Sequence, residues 1–188
     1  MAGRPLGFDR DAALAAAVEQ FWRTGFAETT ISMLTKAMGV TPPSLYTAFG
    51  DKNRLFEEAA ETYFRRTCEG LDRAAEQPTA HAAIAQMLNE TARAHTDTAT
   101  PPGCLMLTEP RLTGQREHLR RRIRERLDRG VRDGDLPPDT STDQLATFLV
   151  AVMRGMSGSA RDDGTVEELL AIVATAMTAL PPPPDGKG

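Results

Sequence analysis

Thr30-Ile31-Ser32-Met33-Leu34-Thr35-Lys36-Ala37-Met38-Gly39-Val40-Thr41-Pro42-Pro43-Ser44-Leu45-Tyr46-Thr47-Ala48-Phe49 is the stretch on which the reading of this chain turns. Ile31, Leu34 and Met38 recur at helical spacing behind a capping threonine, Thr29 or Thr30, and Gly39 supplies the left-handed residue that stops the helix. Thr41 then caps a second helix. Pro42 falls at its first position, where a missing N–H costs nothing, and Pro43 is tolerated in the same turn. Leu34, Met38, Val40, Leu45 and Ala48 fall where two short helices joined by a tight turn must pack on each other. The other face of the second helix carries Thr41, Pro42, Pro43, Ser44, Tyr46 and Thr47. That face is neither apolar, as burial requires, nor rich in Glu and Lys, as an idle solvated helix tends to be. Its small, hydroxyl-bearing and aromatic groups suit a major groove, where they meet phosphates and base edges. On packing pattern alone, an ordinary corner between two helices remains the alternative.

Upstream, Asp9 is an N-cap for a helix on which Leu14, Val18, Phe21 and Trp22 share a side, and Gly25 is expected to end it. Downstream, Gly50 closes the second short helix and Asp51 caps another, whose broad apolar face of Leu55, Phe56, Ala59, Tyr63 and Phe64 suits a connector. The rest of the chain also reads as helices. The periodicity predicts them from about Thr79 to His95, Gly103 to Leu112, Gln115 to Arg132, Ser141 or Thr142 to Ser159, and Thr165 to Leu180. A Thr/Pro-rich break lies at Asp97–Pro102, and Gly134 with Pro137-Pro138 marks another. Alternation of β-branched with polar residues is scarce, so the expected class is all-α, with about nine helices in total.

A chain of 188 residues can bury a core without disulfides or structural metal. Its two cysteines, Cys68 and Cys104, lack CxxC spacing and suit a reducing compartment. The first eleven residues hold Arg4, Asp9, Arg10 and Asp11 without the apolar stretch of a signal peptide, and no run approaches a bilayer span. A cytoplasmic protein with no membrane role is therefore expected. The net charge of −4 leaves nucleic-acid binding open, because binding depends on where cations lie and not on their sum.

Once these residues are in place, the segment from Phe8 to about Tyr63 resembles the amino-terminal domain of the TetR/AcrR family of bacterial transcriptional regulators. The most telling string is Tyr46, Phe49, Lys52 and Leu55 at three-residue steps. It is joined by Phe21, Gly25-Phe26, Thr29-Thr30, Leu34, Ala37, Gly39-Val40 and Ser44-Leu45-Tyr46. Thr35, Met38 and Pro42-Pro43 depart from the family's usual residues, so the bases read are not carried over. By this resemblance Thr30, Tyr46 and Lys52 hold backbone phosphates, Thr41, Pro42, Pro43, Ser44 and Thr47 approach base edges, and Arg4 of the Gly3-Arg4-Pro5 arm enters the minor groove or lies in a disordered tail. Gly103-Cys104-Leu105 also resembles a signature in one branch of these regulators.

The resemblance implies an amino-terminal three-helix DNA-binding domain with a helix-turn-helix, followed by a larger helical ligand-binding and dimerisation domain. The partition expected is 1–55 for DNA binding (helix-turn-helix about 30–49), 56–180 for effector binding and dimerisation, and 181–188 for a flexible tail. The function implied is a sequence-specific transcriptional regulator, most often a repressor, released from double-stranded DNA by a small-molecule effector. Leu145, Phe148, Leu149, Val152, Met153 and Met156, with Leu169, Leu170, Val173, Ala176, Met177 and Leu180, are apolar on more than one face. That breadth predicts a homodimer through the last two helices, reading a pseudo-palindromic operator. Met87, Met106, Leu107, Phe148 and Met153 are the candidate pocket residues. The arginine run from Arg116 to Arg132 is interleaved with Glu117, Glu125, Asp128 and Asp133, which favours a solvated, ion-paired helix over a second nucleic-acid patch. His81, His95 and His118 lack metal-ligand spacing, Cys104 reads as buried in preference to sensing, and no nucleophile, phosphate-loop or dinucleotide motif is present. No metal, cofactor or enzyme activity is expected. The alternatives are an all-α small-molecule-binding or catalytic bundle without a DNA role, and a dimeric regulator without an effector.

Overall fold

The computed structural model describes residues 8–182, so the arm containing Arg4 and most of the expected tail lie outside it. Among the described residues there are nine α-helices, one 3-10 turn and no strand. None of the helices is long and apolar enough to cross a membrane. The chain divides into two compact units, Met1–Arg65 and Arg66–Gly188.

The first unit begins with α1 (Arg10–Glu28), where the Asp9 carboxylate accepts the backbone N–H groups of Asp11 and Ala12. Gly25, at φ 72° and ψ 171°, breaks the helical geometry where the sequence placed a stop, and a further short helical stretch follows it to Glu28. The kink lets Phe26 fold back, so that Phe21, Phe26 and Phe56 form a cluster with centroids 5.0 to 6.3 Å apart. Thr29 is fully buried, donates from Oγ1 to the Gly25 carbonyl at 2.5 Å and lies 2.7 Å from Thr24 Oγ1. Thr30 is therefore left as the cap of α2 (Ile31–Met38), its hydroxyl accepting the Met33 N–H. Gly39 ends α2 in the left-handed conformation, and Thr41 caps α3 (Pro42–Phe49). Leu34, Leu45 and Phe49 are buried where α2 and α3 cross. The capping hydroxyls thus satisfy one amide at the start of each short helix, and the apolar faces meet inward.

Helix α4 (Lys52–Ala75) starts behind Asp51, whose Oδ1 accepts the Arg54 N–H, and buries Leu55, Phe56, Ala59 and Ala60 in its first half. The first unit ends within this helix, at Arg65.

The second unit contains the rest of α4, then α5 (Ala80–His95), α6 (Leu105–Thr108), a 3-10 turn (Pro110–Leu112), α7 (Thr113–Asp133), α8 (Thr142–Arg161) and α9 (Val166–Met177). The single short helix expected over Gly103–Leu112 is thus broken in two, because Pro110 lacks the N–H that would continue it. Helix α5 packs on α7, α8 and α9, and α8 also packs on α7 and α9. Ile84, Leu88, Leu119, Leu127, Leu149, Met156 and Leu169 fill the core between them. Gly103 is demanded by geometry. It lies at φ 73°, and a Cβ there would stand 2.7 Å from the Ser157 carbonyl oxygen. That close approach lets Cys104 donate its backbone N–H to Ser157 Oγ at 2.8 Å.

Candidate nucleic-acid interface

Helix α3 is two-sided. Leu45 is fully buried and Phe49 nearly so, while Thr41, Pro42, Pro43, Tyr46 and Thr47 are exposed and Ser44 is half-buried. Tyr46 leaves half of its surface in solvent. The hydroxyls are oriented from within: Thr47 donates to the Pro43 carbonyl at 2.8 Å, and Thr41 and Ser44 lie 3.0 Å apart through their side-chain oxygens. Thr30, also exposed, stands at the start of α2.

Lys52 is half-buried in the first turn of α4, where the helix dipole disfavours a cation. It is held by the Phe26 ring, with Nζ 4.3 Å from the centroid.

Sequence reasoning missed Arg10. Its guanidinium pairs with both carboxylate oxygens of Glu58 at 2.6 and 2.7 Å, lies 4.4 Å above the Phe49 ring and reaches the Ala48 carbonyl at 3.5 Å. The bond to Glu58 raises its pKa, against a smaller desolvation effect. Arg10 thereby fixes the end of α3 against α1 and α4. No local pattern announces it, because Glu58 is 48 residues away.

The arginines of α7 differ in part from the solvated helix expected. Arg120 pairs with Glu117 and Asp143, and Arg124 with Asp128 and Asp143. Arg116, however, donates to the carbonyls of Met106 and Glu109, Arg129 to that of Ala75, and Arg126 to that of Gln77. Arg126 is buried. Long amphipathic stems and multiple donors let these residues join α7 to the end of α4 and to the α6 region.

The five candidate pocket residues are not brought together. Met87 lines a cavity between α4, α5 and α7. Met106, Leu107 and Met153 are buried in the core. Phe148 is 40% exposed and sits with Val152, Ala171, Ile172 and Thr175 on an open depression of α8 and α9. The helical period alone does not tell a side chain facing a cavity from one facing packed neighbours. His95 is buried too, and burial, assisted by the charge of Arg161, lowers its pKa to about 4. Among the described residues no group of three or more His, Cys, Asp or Glu side chains is placed to hold a metal ion.

The family model for bacterial regulatory proteins of the tetR family matches residues 13–59. The model for the tetracyclin repressor-like C-terminal domain matches residues 80–176. The chain is 30% identical to the HTH-type transcriptional repressor ComR of Escherichia coli (strain K12), over 95% of this chain and 92% of the relative. It is 27% identical to the HTH-type transcriptional repressor BdcR of the same organism, with the same coverage. Among solved structures, a cysteine mutant of the TetR family transcriptional regulator CifR, complexed with 26bp double-strand operator DNA, superposes with a TM-score of 0.91. That likeness has 38% identity and covers 95% of this chain and all of the other. With both halves matched and the two-sided α3 in place, the chain belongs to the TetR family of bacterial regulatory proteins and is a DNA-binding transcriptional regulator.

Proposed function

We propose that the protein is a homodimeric repressor that grips a pseudo-palindromic operator with α3 and lets go when a small molecule enters the second unit. The observation that carries this reading is the division of α3 between a buried inner edge, Leu45 and Phe49, and an exposed outer face around Tyr46. Tyr46, Thr30 and Lys52 hold backbone phosphates. Thr41, Pro42, Pro43, Ser44 and Thr47 meet base edges, and the two pyrrolidine rings suit contact with thymine methyl groups. Residues 1–55 form the reading head and 56–180 the effector and dimer body. Nothing in this activity requires a catalytic step, and its target places it with the chromosome in the cytoplasm.

One short recognition helix reads only a few base pairs, so a two-fold partner is needed to double the site. The depression holding Phe148, Val152, Ala171 and Ile172 supports α8 and α9 as the surfaces that meet, because it leaves apolar groups in water that a second copy would cover. An effector acts only by binding the released arrangement better than the operator-bound one. Helix α4 (Lys52–Ala75) carries the chain from the first unit into the second, which supports it as the element through which an effector acts on the head.

A footprint of the region upstream of the protein's own gene should protect an inverted repeat. Tyr46→Ala and Lys52→Ala should weaken binding to operator and to unrelated DNA alike. Lys52→Ala should also reduce the salt dependence by about one counterion, a slope change of roughly 0.9. Changes at Pro43 or Ser44 should instead alter preference between sequences, by about 1–3 kcal/mol for each base pair misread. Binding that survives all four changes would remove α3 as the reading element.

A further inference from the structure

Helix α3 carries Pro-Pro-Ser-Leu-Tyr-Thr-Ala-Phe behind the capping Thr41, and Leu45 and Phe49 are spent on the core. The side chains that single out a base by hydrogen bonds are Arg and Lys for guanine, Asn and Gln for adenine, and Asp and Glu for cytosine. None of these stands on α3. Two cations elsewhere in the head are engaged: Arg10 holds both carboxylate oxygens of Glu58, and Lys52 lies 4.3 Å from the centre of the Phe26 ring. Lys36, in the last turn of α2, and Arg54, on α4, are exposed.

What α3 exposes is hydrocarbon and hydroxyl. The Pro42 and Pro43 rings stand in solvent in its first turn, as do Thr41 and Thr47, and Ser44 is half-buried. Proline brings no N–H of its own, so these rings lay no unpaired donor against a base. Serine and threonine hydroxyls accept or donate as the partner requires, and so discriminate poorly between bases. Here they also bond within the helix: Thr47 donates to the Pro43 carbonyl at 2.8 Å, and the Thr41 and Ser44 oxygens lie 3.0 Å apart. The one feature of a major groove that a hydrocarbon face can tell from the rest is the C5-methyl group, which thymine has and cytosine lacks. Burying a group of that size is worth roughly 4-fold in affinity.

We infer, resting on the reading of α3 as the helix that faces operator DNA, that it is a reader of C5-methyl groups, with Pro42 and Pro43 as its specificity-determining residues. Each half-site then offers thymine methyls to the two rings. Two consequences separate this from recognition by hydrogen bonds. Uracil pairs as thymine does and lacks only the methyl, so it should be a poor substitute. 5-Methylcytosine should be a better partner than cytosine at the same position, even though its exocyclic amino group differs from the thymine oxygen, so methylation of a cytosine in the half-site should raise affinity.

Rounds of selection with the full-length protein on a random duplex pool, built once with thymidine and once with deoxyuridine, test it. The thymidine pool should yield an inverted repeat with thymines at fixed places in each half-site. Replacing those thymines by uracil should weaken binding roughly 4-fold for each methyl lost. Cytosine placed at one of them should bind more tightly when it is 5-methylated, by a similar factor. The double variant Pro42→Ala, Pro43→Ala should bind the thymine and uracil forms alike. That ratio is taken within one protein, so a loss of stability does not imitate it. If the double variant no longer binds, Pro43→Ala alone takes its place and should show a smaller ratio than the parent. The assignment is overturned if both pools yield the same repeat with equal affinity, or if the proline variant that binds separates thymine from uracil as the parent does. It is overturned as well if the fixed positions are G·C pairs that lose affinity with 7-deazaguanine, which would move the reading to a cation such as Lys36 or Arg54. Each of these outcomes leaves the operator reading standing. No repeat from either pool defeats the operator reading itself, and the methyl assignment with it.

Discussion

Helices α3 and α7 make opposite use of their polar residues. Helix α3 has no charged side chain at all, yet its outer face is the exposed surface of the reading head. Helix α7 carries eight arginines and spends most of those described on its own chain, on carboxylates of α4, α7 and α8 and on carbonyls of residues 75, 77, 106 and 109. A count of positive charge along the sequence points to α7, whereas the fold leaves the outer face of α3 unused. What matters is which groups remain free after the fold has used what it needs, and α3 is kept free by an apolar inner edge that does all of its packing.

That contrast can be broken most severely at the buttress. Leu34→Ala removes a fully buried side chain under α3 and should destabilise the head by about 3 kcal/mol. Operator affinity should fall with it, while the second unit keeps its helical signal in a thermal melt followed by circular dichroism. An unchanged affinity would mean that α3 does not depend on α2 for its orientation.

The next effect concerns the body alone. The folded protein holds His95 near pKa 4, below the 6.5 of a free histidine, so the unfolded chain takes up the proton first as pH falls. Stability from this residue is complete above pH 6.5 and drains away between 6.5 and 4, by roughly 3 kcal/mol in all. His95→Gln should flatten that part of the melting-temperature profile, and a variant that follows the parent's slope would place the effect on other groups.

A smaller loss is expected at the turn. Gly39→Ala places a side chain at φ 65° where nothing lies within 4 Å of the new Cβ, so only the backbone resists. The cost should be about 1 kcal/mol in a denaturant titration, with operator specificity retained. At the far end of the scale stands Arg121→Ala, on the exposed side of α7. It should shift stability by no more than about 0.5 kcal/mol and leave the salt dependence of DNA binding unaltered. A reduced salt slope there would show that α7 contacts phosphate after all, and the contrast drawn above would fail.

Much of the head was legible because its signals are local. Gly39, Thr41 and Pro42 act on the backbone within a turn of themselves, and Leu34, Leu45 and Phe49 declare an inner face by period alone. The break at Gly25 was legible for the same reason, but the short helical stretch beyond it was not, because it is tied to the packing of Phe26 on Phe21 and Phe56. In the body, Met87, Met106, Leu107, Phe148 and Met153 look alike in the sequence and have three different fates: cavity wall, packed core and open surface.

The sequence by itself determined that the chain is helical, where the two short helices turn on each other, and which groups of α3 point away from its core. These are decided by residues three or four apart, and the physics of caps, turns and periodicity reaches no further. Tertiary structure alone decided that Arg10 clamps Glu58, that Gly103 clears the way for Cys104 to reach Ser157, and that Arg126 ends up buried against the Gln77 carbonyl. The partners of Arg10, Cys104 and Arg126 lie 48 to 53 residues apart in the chain, and only the packing of whole helices settles which cation finds a carboxylate and which a carbonyl.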